Sequence, residues 1–390
     1  MDDLLERLGE LDCGRRLLAA TAGAGGVHLV GGAVRDLLLG RHPRELDVVV
    51  EGDIGPLAVA LGDVAASHER FGTATVRDGD CRWDLAASRA EEYARPGALP
   101  SVRPAPIEAD LRRRDVSVNA IALDLRTGVL RMVEHALADL DTGVLRVLHE
   151  ASFYDDPTRL WRIARYAARL NFELEPHTAQ LAAEAVAAGV AERVSGARIG
   201  NELRLALAEP DAPAALERAV TLGLAPWLQP DRERAAAALE LLPAREGRAD
   251  LVVLAAALAE SGDDADQRLA GLDFTAAERA VLRAAADAPG TADAALAAER
   301  PSQLARVLRG LPVEAVALAG AARAAEPVRR WLDELRHVGL AIDGDDLLAA
   351  GIERGPEIGR RLAATLDRRL DGELGDDHAA QLEAALSAPV

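Results

Sequence analysis

The chain has 390 residues, 49% of them hydrophobic but only 3% aromatic, and a formal net charge of −19. Its length allows more than one domain and a sizeable core, and its alanine and leucine bias favours helices. The acidic balance excludes a general nucleic-acid coat protein, so any RNA contact must come from a local arginine patch.

All 45 basic residues are arginine. Residues 112–204 hold 13 arginines against 13 carboxylates, whereas 205–390 hold 20 against 32, so the least acidic surface is expected mid-chain. Two cysteines, Cys13 and Cys81, make neither a disulfide framework nor a zinc site and fit a reducing cytoplasm. The acidic N-terminus lacks the basic start and apolar core of a signal peptide. No charge-free apolar run reaches the roughly 18 residues of a membrane span.

Hydrophobic spacing predicts an amphipathic helix over 2–22. From His28 to about Arg131 the pattern is α/β, with strand-like runs at Val27–Val30, Asp47–Val50, Ala74–Arg77, Arg82–Ala86 and Ala120–Leu125. Gly31-Gly32 reads as a turn opening a helix, where bare backbone could meet a phosphate, and Arg35 adds a positive fork. Glu45 and Asp47, two apart at a strand start, share one face and could hold a pair of metal ions. Asp84 is either a third carboxylate of that site or an edge-strand surface charge.

Tyr93 to Pro106, with Pro96, Gly97, Pro100, Pro104 and Pro106, reads as a mobile surface loop without regular structure. The run Arg112-Arg113-Arg114-Asp115, leading to Asn119, is either a solvated face or a ligand-binding segment. From Leu137 onward no strand is expected. Leu160, Ile163, Ala164, Ala167 and Leu170 recur at helical spacing, and breaks fall near Glu209-Pro210, Pro226 to Pro230, Ser261-Gly262, Pro289-Gly290 and Gly339 to Gly344.

In Asp155-Asp156-Pro157-Thr158-Arg159-Leu160-Trp161-Arg162, Asp156 and Pro157 suit a helix start, which leaves Arg159 as a surface position of the first turn. The same residues suit base recognition. Cytosine and adenine both present an amino donor beside a ring-nitrogen acceptor, which a carboxylate beside an arginine complements; guanine and uracil present the opposite pair.

The succession Gly-Gly-Ala-Val-Arg-Asp (31–36), Glu-Leu-Asp (45–47), Arg-Arg-Asp-Val-Ser-Val-Asn-Ala (113–120), Asp-Asp-Pro-Thr-Arg (155–159) and Glu-Arg-Val (192–194) resembles the bacterial class II tRNA nucleotidyltransferases and poly(A) polymerases. The resemblance covers roughly residues 24–205. It implies an α+β chain: a small nucleotidyltransferase palm of mixed sheet and helices, followed by an all-helical neck, body and tail. The boundaries implied are an N-terminal helix over 1–23, a head over 24–138, a base-reading neck over 139–205 and a tRNA-gripping body and tail over 206–390.

Carried over residue by residue, the resemblance puts Mg²⁺ on Glu45 and Asp47 as catalytic carboxylates, and the strand position of Asp84 adds it as a third. The resemblance places nucleotide contacts on Arg114, Asp115, Asn119, Asp155, Asp156 and Arg159, to which the reading of the residues themselves adds Gly31, Gly32, Arg35 and Arg162. The implied reaction is template-independent addition of CCA, from CTP and ATP, to the 3′ end of tRNA. Specialist A-, CC- or poly(A)-adding enzymes and an inactive RNA-binding scaffold stand as alternatives. The chain departs from the family pattern at Glu45 (usually Asp), Asp155 (usually Glu) and Val116-Ser117 (usually Phe-Thr). It has no His-Asp pair, and only His337 and His378 lie beyond residue 205, which argues against a metal-dependent phosphohydrolase there.

Overall fold

The computed structural model describes residues 4–68, 72–95, 97, 98, 100–258 and 264–388. It forms two compact units, one of Met1–Asp211 with Arg218–Pro226 and one of Ala212–Glu217 with Trp227–Val390.

The first unit begins with α1 (Leu4–Glu10) and α2 (Asp12–Ala20). Two helices replace the single one expected over 2–22, because Leu11 is extended and the chain turns back on itself. Gly14 permits the turn: a Cβ there would stand 2.0 Å from the Leu8 carbonyl oxygen.

A seven-stranded mixed sheet follows. Its elements are β1 (Val27–Val30), α3 (Gly32–Leu38), β2 (Leu46–Val50), α4 (Gly55–Leu61), β3 (Asp63–His68), β4 (Thr73–Asp78) and β5 (Cys81–Ala87). After β6 (Arg89–Glu92), β7 (Ser101–Pro104) and α5 (Ile107–Arg112), the sheet is completed by β8 (Ile121–Asp124) and β9 (Leu130–Met132). The strand order is β3-β4-β5-β2-β1-β8-β9, and only β2 and β5 run parallel. β1 and β8 are interior strands buried along their whole length, His28 and Asp124 included, which face each other in the register.

β6 and β7 pair as a separate antiparallel ribbon, Arg89 opposite Pro104 and Glu92 opposite Ser101. Regular structure thus enters the stretch expected to be an irregular loop. Pro104 closes one end of a two-stranded ribbon, a place where its missing N–H breaks no central ladder. Pro96 lies outside the described residues.

α6 (Ala136–Thr142), β10 (Val144–Leu145), α7 (Ser152–Asp155), α8 (Thr158–Leu170), β11 (Glu173–Leu174), α9 (Pro176–Ala187) and α10 (Gly196–Leu207) complete the unit's main elements. β10 and β11 are two-residue strands paired in parallel, a small exception to the expectation of none after Leu137. On α8, Leu160, Ile163, Ala164, Ala167 and Leu170 are buried as the spacing predicts, and the helix ends on Asn171 in the left-handed conformation. Phe153, Tyr166 and Phe172 pack in the same core cluster as Leu160, Ile163, Ala167 and Leu170.

The cysteine expectation needs correction. Cys13 of α2 and Cys81 of β5 form a disulfide, and the Trp83 indole N–H donates to the Cys13 carbonyl at 3.1 Å. Sequence counting could not bring two residues 68 apart within reach; the packing of α2 beside β5 does.

Among the described residues the second unit is helical, from Arg232–Leu241 through Pro356–Leu370 to His378–Ser387. In Ala249–Leu258 every residue from Leu251 to Ala257 is buried, and Leu347, Ile342 and Ala385 form a smaller core near the C-terminus. The expected Pro289-Gly290 break falls instead at Asp287, with Pro289 in the first turn of Ala288–Leu296. Ser261-Gly262 lies outside the described residues. No described helix is long and apolar enough to cross a membrane.

Candidate active site

Alternation along β5 turns Cys81, Trp83 and Leu85 into the core and Asp84 to the opposite face. Asp84 stands beside Asp47 in the parallel β2–β5 register, and opposite Thr75 of β4. The Thr75 hydroxyl donates to one Asp84 oxygen, and Arg82 pairs with the other at 2.9 Å. Asp84 is therefore on a central strand, not an edge. Glu45 differs from expectation: β2 starts at Leu46, so Glu45 is exposed and just outside the strand. Its charge still reaches Asp47. Burial pushes the Asp47 carboxyl up to about 6, Arg114 opposes this, and Glu45 and Asp84 add to it.

The turn after β1 is fixed by Gly31, whose φ of 67° is open mainly to glycine. A Cβ there would also lie 3.0 Å from Arg114 Nη1. The Gly31 amide itself donates to the Ile121 carbonyl. Arg114 is held from behind by Asp110, at 2.9 Å through Nη2. Arg35, expected as a phosphate ligand, is instead 1% exposed and spent internally. Its Nε and Nη2 donate to Asp36 Oδ1 at 2.9 and 2.7 Å, and its Nη1 to Asn119 Oδ1 at 2.6 Å. It orients Asn119 and has no fork left over for phosphate.

Asp115 is buried and fully partnered. Oδ1 accepts from the Val116 amide and from Asn119 Nδ2 at 3.4 Å, and Oδ2 accepts from Tyr166 at 3.0 Å and Arg162 at 2.7 Å. Burial alone would raise its pKa, but Arg162, Arg159 and these hydrogen bonds outweigh burial and hold it at about 2. Arg162, Arg165 and Arg169 form a stripe along α8 at helical spacing.

Asp156 does what a helix start asks, accepting from the Thr158 amide and hydroxyl through Oδ1. Arg198 of α10 donates to the same oxygen at 2.8 Å and to the Gly97 carbonyl at 3.1 Å. No hydrogen bond falls on Asp156 Oδ2 among the described residues. Arg159 corrects the expectation of a surface position: it is 4% exposed, donating to Ser152 Oγ at 2.7 Å and the Arg113 carbonyl at 2.5 Å. Asp155, at the end of α7, sits 4.0 Å from His149.

A cleft of about 350 Å³ brings together Gly31, Gly32, Asp47, Arg114, Asp115, Asn119, Asp156, Arg159 and Arg162. Asp84 lines an adjoining cavity of about 260 Å³ that shares Asp47 and Arg114. Glu45 and Arg35 line a third, of about 420 Å³, that also reaches Asp47. Asp155 lines none of the three. Sequence reasoning did not select Arg89, Glu91, Tyr93, Arg113, Tyr166 or Arg198. Arg89, Glu91 and Tyr93 alternate with period two, a strand signal hidden by the prolines that follow. Tyr166 stands one turn after Arg162, but nothing in the sequence couples Arg198 to Asp156.

The donor set suits a hard divalent cation only in part from protein. Among the described residues no three His, Cys, Asp or Glu groups are gathered closely enough to hold an ion. Asp47 and Asp84 supply oxygens, and the Asp47 carboxyl, raised first by burial and further by the charges of Glu45 and Asp84, would be held ionised by a cation. Mg²⁺ commonly takes one or two carboxylates and completes its shell with water and substrate phosphates. The residues fit such a site, and a closed protein cage is absent from them.

The Poly A polymerase head domain model matches residues 27–146. The chain is 35% identical over 371 residues to the CC-adding tRNA nucleotidyltransferase of Deinococcus radiodurans, covering 92% of this chain and 89% of that one. It is 34% identical over 381 residues to the A-adding tRNA nucleotidyltransferase of Geobacter sulfurreducens, covering 89% of this chain and 43% of that one. The chain spans less than half the length of three A-adding relatives it matches: 43%, 49% and 23%. The Thermotoga maritima CCA-adding enzyme complexed with tRNA-CCA superposes with a TM-score of 0.75 at 27% identity, over 98% of this chain and 97% of that one.

Proposed function

The chain belongs to the tRNA nucleotidyltransferase and poly(A) polymerase family, and on that premise we propose that it adds CCA, from CTP and ATP, to the 3′ end of tRNA. The carrying observation is one cleft that joins a carboxylate on β2 to an aspartate–arginine pair on α8. Divalent metal use is general in this family, and we take the ion here to be Mg²⁺, held by Asp47 and Asp84, with Glu45 adding negative charge at Asp47. Bound there, metal ions would lower the pKa of the attacking 3′-hydroxyl and offset charge on departing pyrophosphate.

The chain's own residues do the rest. Gly31 and Gly32 keep the turn bare so that phosphates can approach, and Arg114, steadied by Asp110, meets their charge. Asp115, kept ionised by Arg162 and Tyr166, holds Asn119 with Arg35 and so fixes the ribose side of the cleft. Asp156 Oδ2 accepts from the amino group of cytosine or adenine, and Arg159 donates to the neighbouring ring nitrogen. Guanine and uracil would leave both groups mismatched, and unpaired buried groups are what makes such discrimination strong.

On this reading 24–138 is the catalytic head, 139–205 the base-reading neck, and 206–390 the body and tail that grip tRNA by shape and backbone. The stretch 1–23 braces the head. The site of action is the cytoplasm, where tRNA and both nucleotides are found. A specialist reading is favoured by the names of the relatives, one CC-adding over nearly its whole length and one A-adding. Incubating tRNA lacking its CCA end with labelled CTP, ATP and Mg²⁺ separates the outcomes. Ordered incorporation of both nucleotides supports the full enzyme, and C or A alone a specialist. No incorporation overturns transferase activity and leaves an RNA-binding scaffold.

A further inference from the structure

We infer that Tyr93 is the stacking wall of the base site. This rests on the reading that the cleft receives CTP and ATP. Tyr93 directly follows β6 and lines the same cleft as Arg159 of α8 and Asp156, just before that helix's first turn. The hydroxyl is already committed: it donates to Glu91 Oε2 at 2.9 Å. Glu91 is itself buried and clamped, its other oxygen accepting from Arg89 at 3.1 Å and Arg113 at 2.9 Å. What Tyr93 offers the cleft is therefore its ring.

The far side of the same wall is tied down. Arg198 bridges Asp156 and the Gly97 carbonyl, four residues beyond Tyr93, so the ring and the base-reading carboxylate belong to one connected frame. Burial pushes the Tyr93 hydroxyl pKa up, and it lies within the fields of both Arg159 and Asp156, consistent with that closeness. A base whose hydrogen-bonding edge faces Asp156 and Arg159 has two flat faces left to cover. An aromatic ring covers a face of any base, so it suits a site that must take both a pyrimidine and a purine.

The test compares Tyr93→Ala and Tyr93→Phe with the parent, using the full chain, checked for folding by circular dichroism. ATP and CTP binding is titrated in the presence of Mg²⁺, and kcat and KM for each are measured on tRNA lacking its CCA end. Stacking predicts that Tyr93→Ala raises KM for ATP by about tenfold and for CTP by less, since the purine has the larger face. kcat should stay within about twofold, and Tyr93→Phe should bind nearly as the parent, because the ring alone does the work. Unchanged KM in Tyr93→Ala overturns the inference. So does an equal fall in kcat for both nucleotides that Tyr93→Phe fails to rescue, which marks a merely structural residue. A parent that binds both nucleotides but adds neither overturns the transferase reading, while the titration still decides the role of Tyr93.

Discussion

At the scale of single residues, side chains that bear charge divide into those that face the cleft and those that hold them there. Arg35 and Arg114 look equivalent in sequence, yet one is sealed under Asp36 and Asn119 while the other reaches over Gly31. No spacing rule separates them, because Arg35 lies on a covered side of α3 whereas Arg114 follows the end of α5. Arg159 was legible as a partner of Asp156 but not as a buried residue, since its burial comes from Ser152 and the Arg113 carbonyl. Gly31 was legible, and its cause is now specific. Gly31→Ala adds a Cβ at positive φ, at a cost of about 1–2 kcal/mol, and displaces the Arg114 guanidinium. The expected result is a raised KM for both nucleotides and a lower melting temperature, checked by steady-state kinetics and thermal unfolding. Unchanged kinetics would remove Arg114 from the nucleotide site.

At the scale of elements, strands β1, β2, β4, β5 and β8 were readable because apolar runs and alternation survive in one dimension. β6 and β7 were not, because prolines between them mask a ribbon whose hydrogen bonds are local to two strands. The disulfide is of the same kind, a product of α2 lying beside β5. That bond closes a loop of 68 residues, for which chain entropy gives about 4 kcal/mol of stabilisation. Reduction should lower the melting temperature of the first unit by roughly 10 °C, while nucleotide addition at 25 °C persists, since neither cysteine lines the cleft. A melting curve indifferent to reductant would show that the bridge does not contribute. The clamp it makes, with Trp83 bonded to Cys13, ends one residue before Asp84.

At the scale of the molecule, the α+β head followed by helices was legible from where strand-like runs stop. Legible too was the set of residues that gathers at Asp47, because each motif carries its own chemistry. Tyr93 and Glu91 line the cleft with Asp156 and Arg159 from about 60 residues away, and Arg198 ties Asp156 to the Gly97 carbonyl about 100 residues before it, so no local pattern announces them. Asp47 is the residue at which the three cavities meet. The most direct measurement is addition by Asp47→Asn, matched to the parent by circular dichroism, on tRNA lacking its CCA end with CTP, ATP and Mg²⁺. The account predicts a loss of about a thousandfold or more in the rate of addition with ATP and CTP still bound through Asp156 and Arg159. Addition by the folded variant at close to the parent's rate would contradict it.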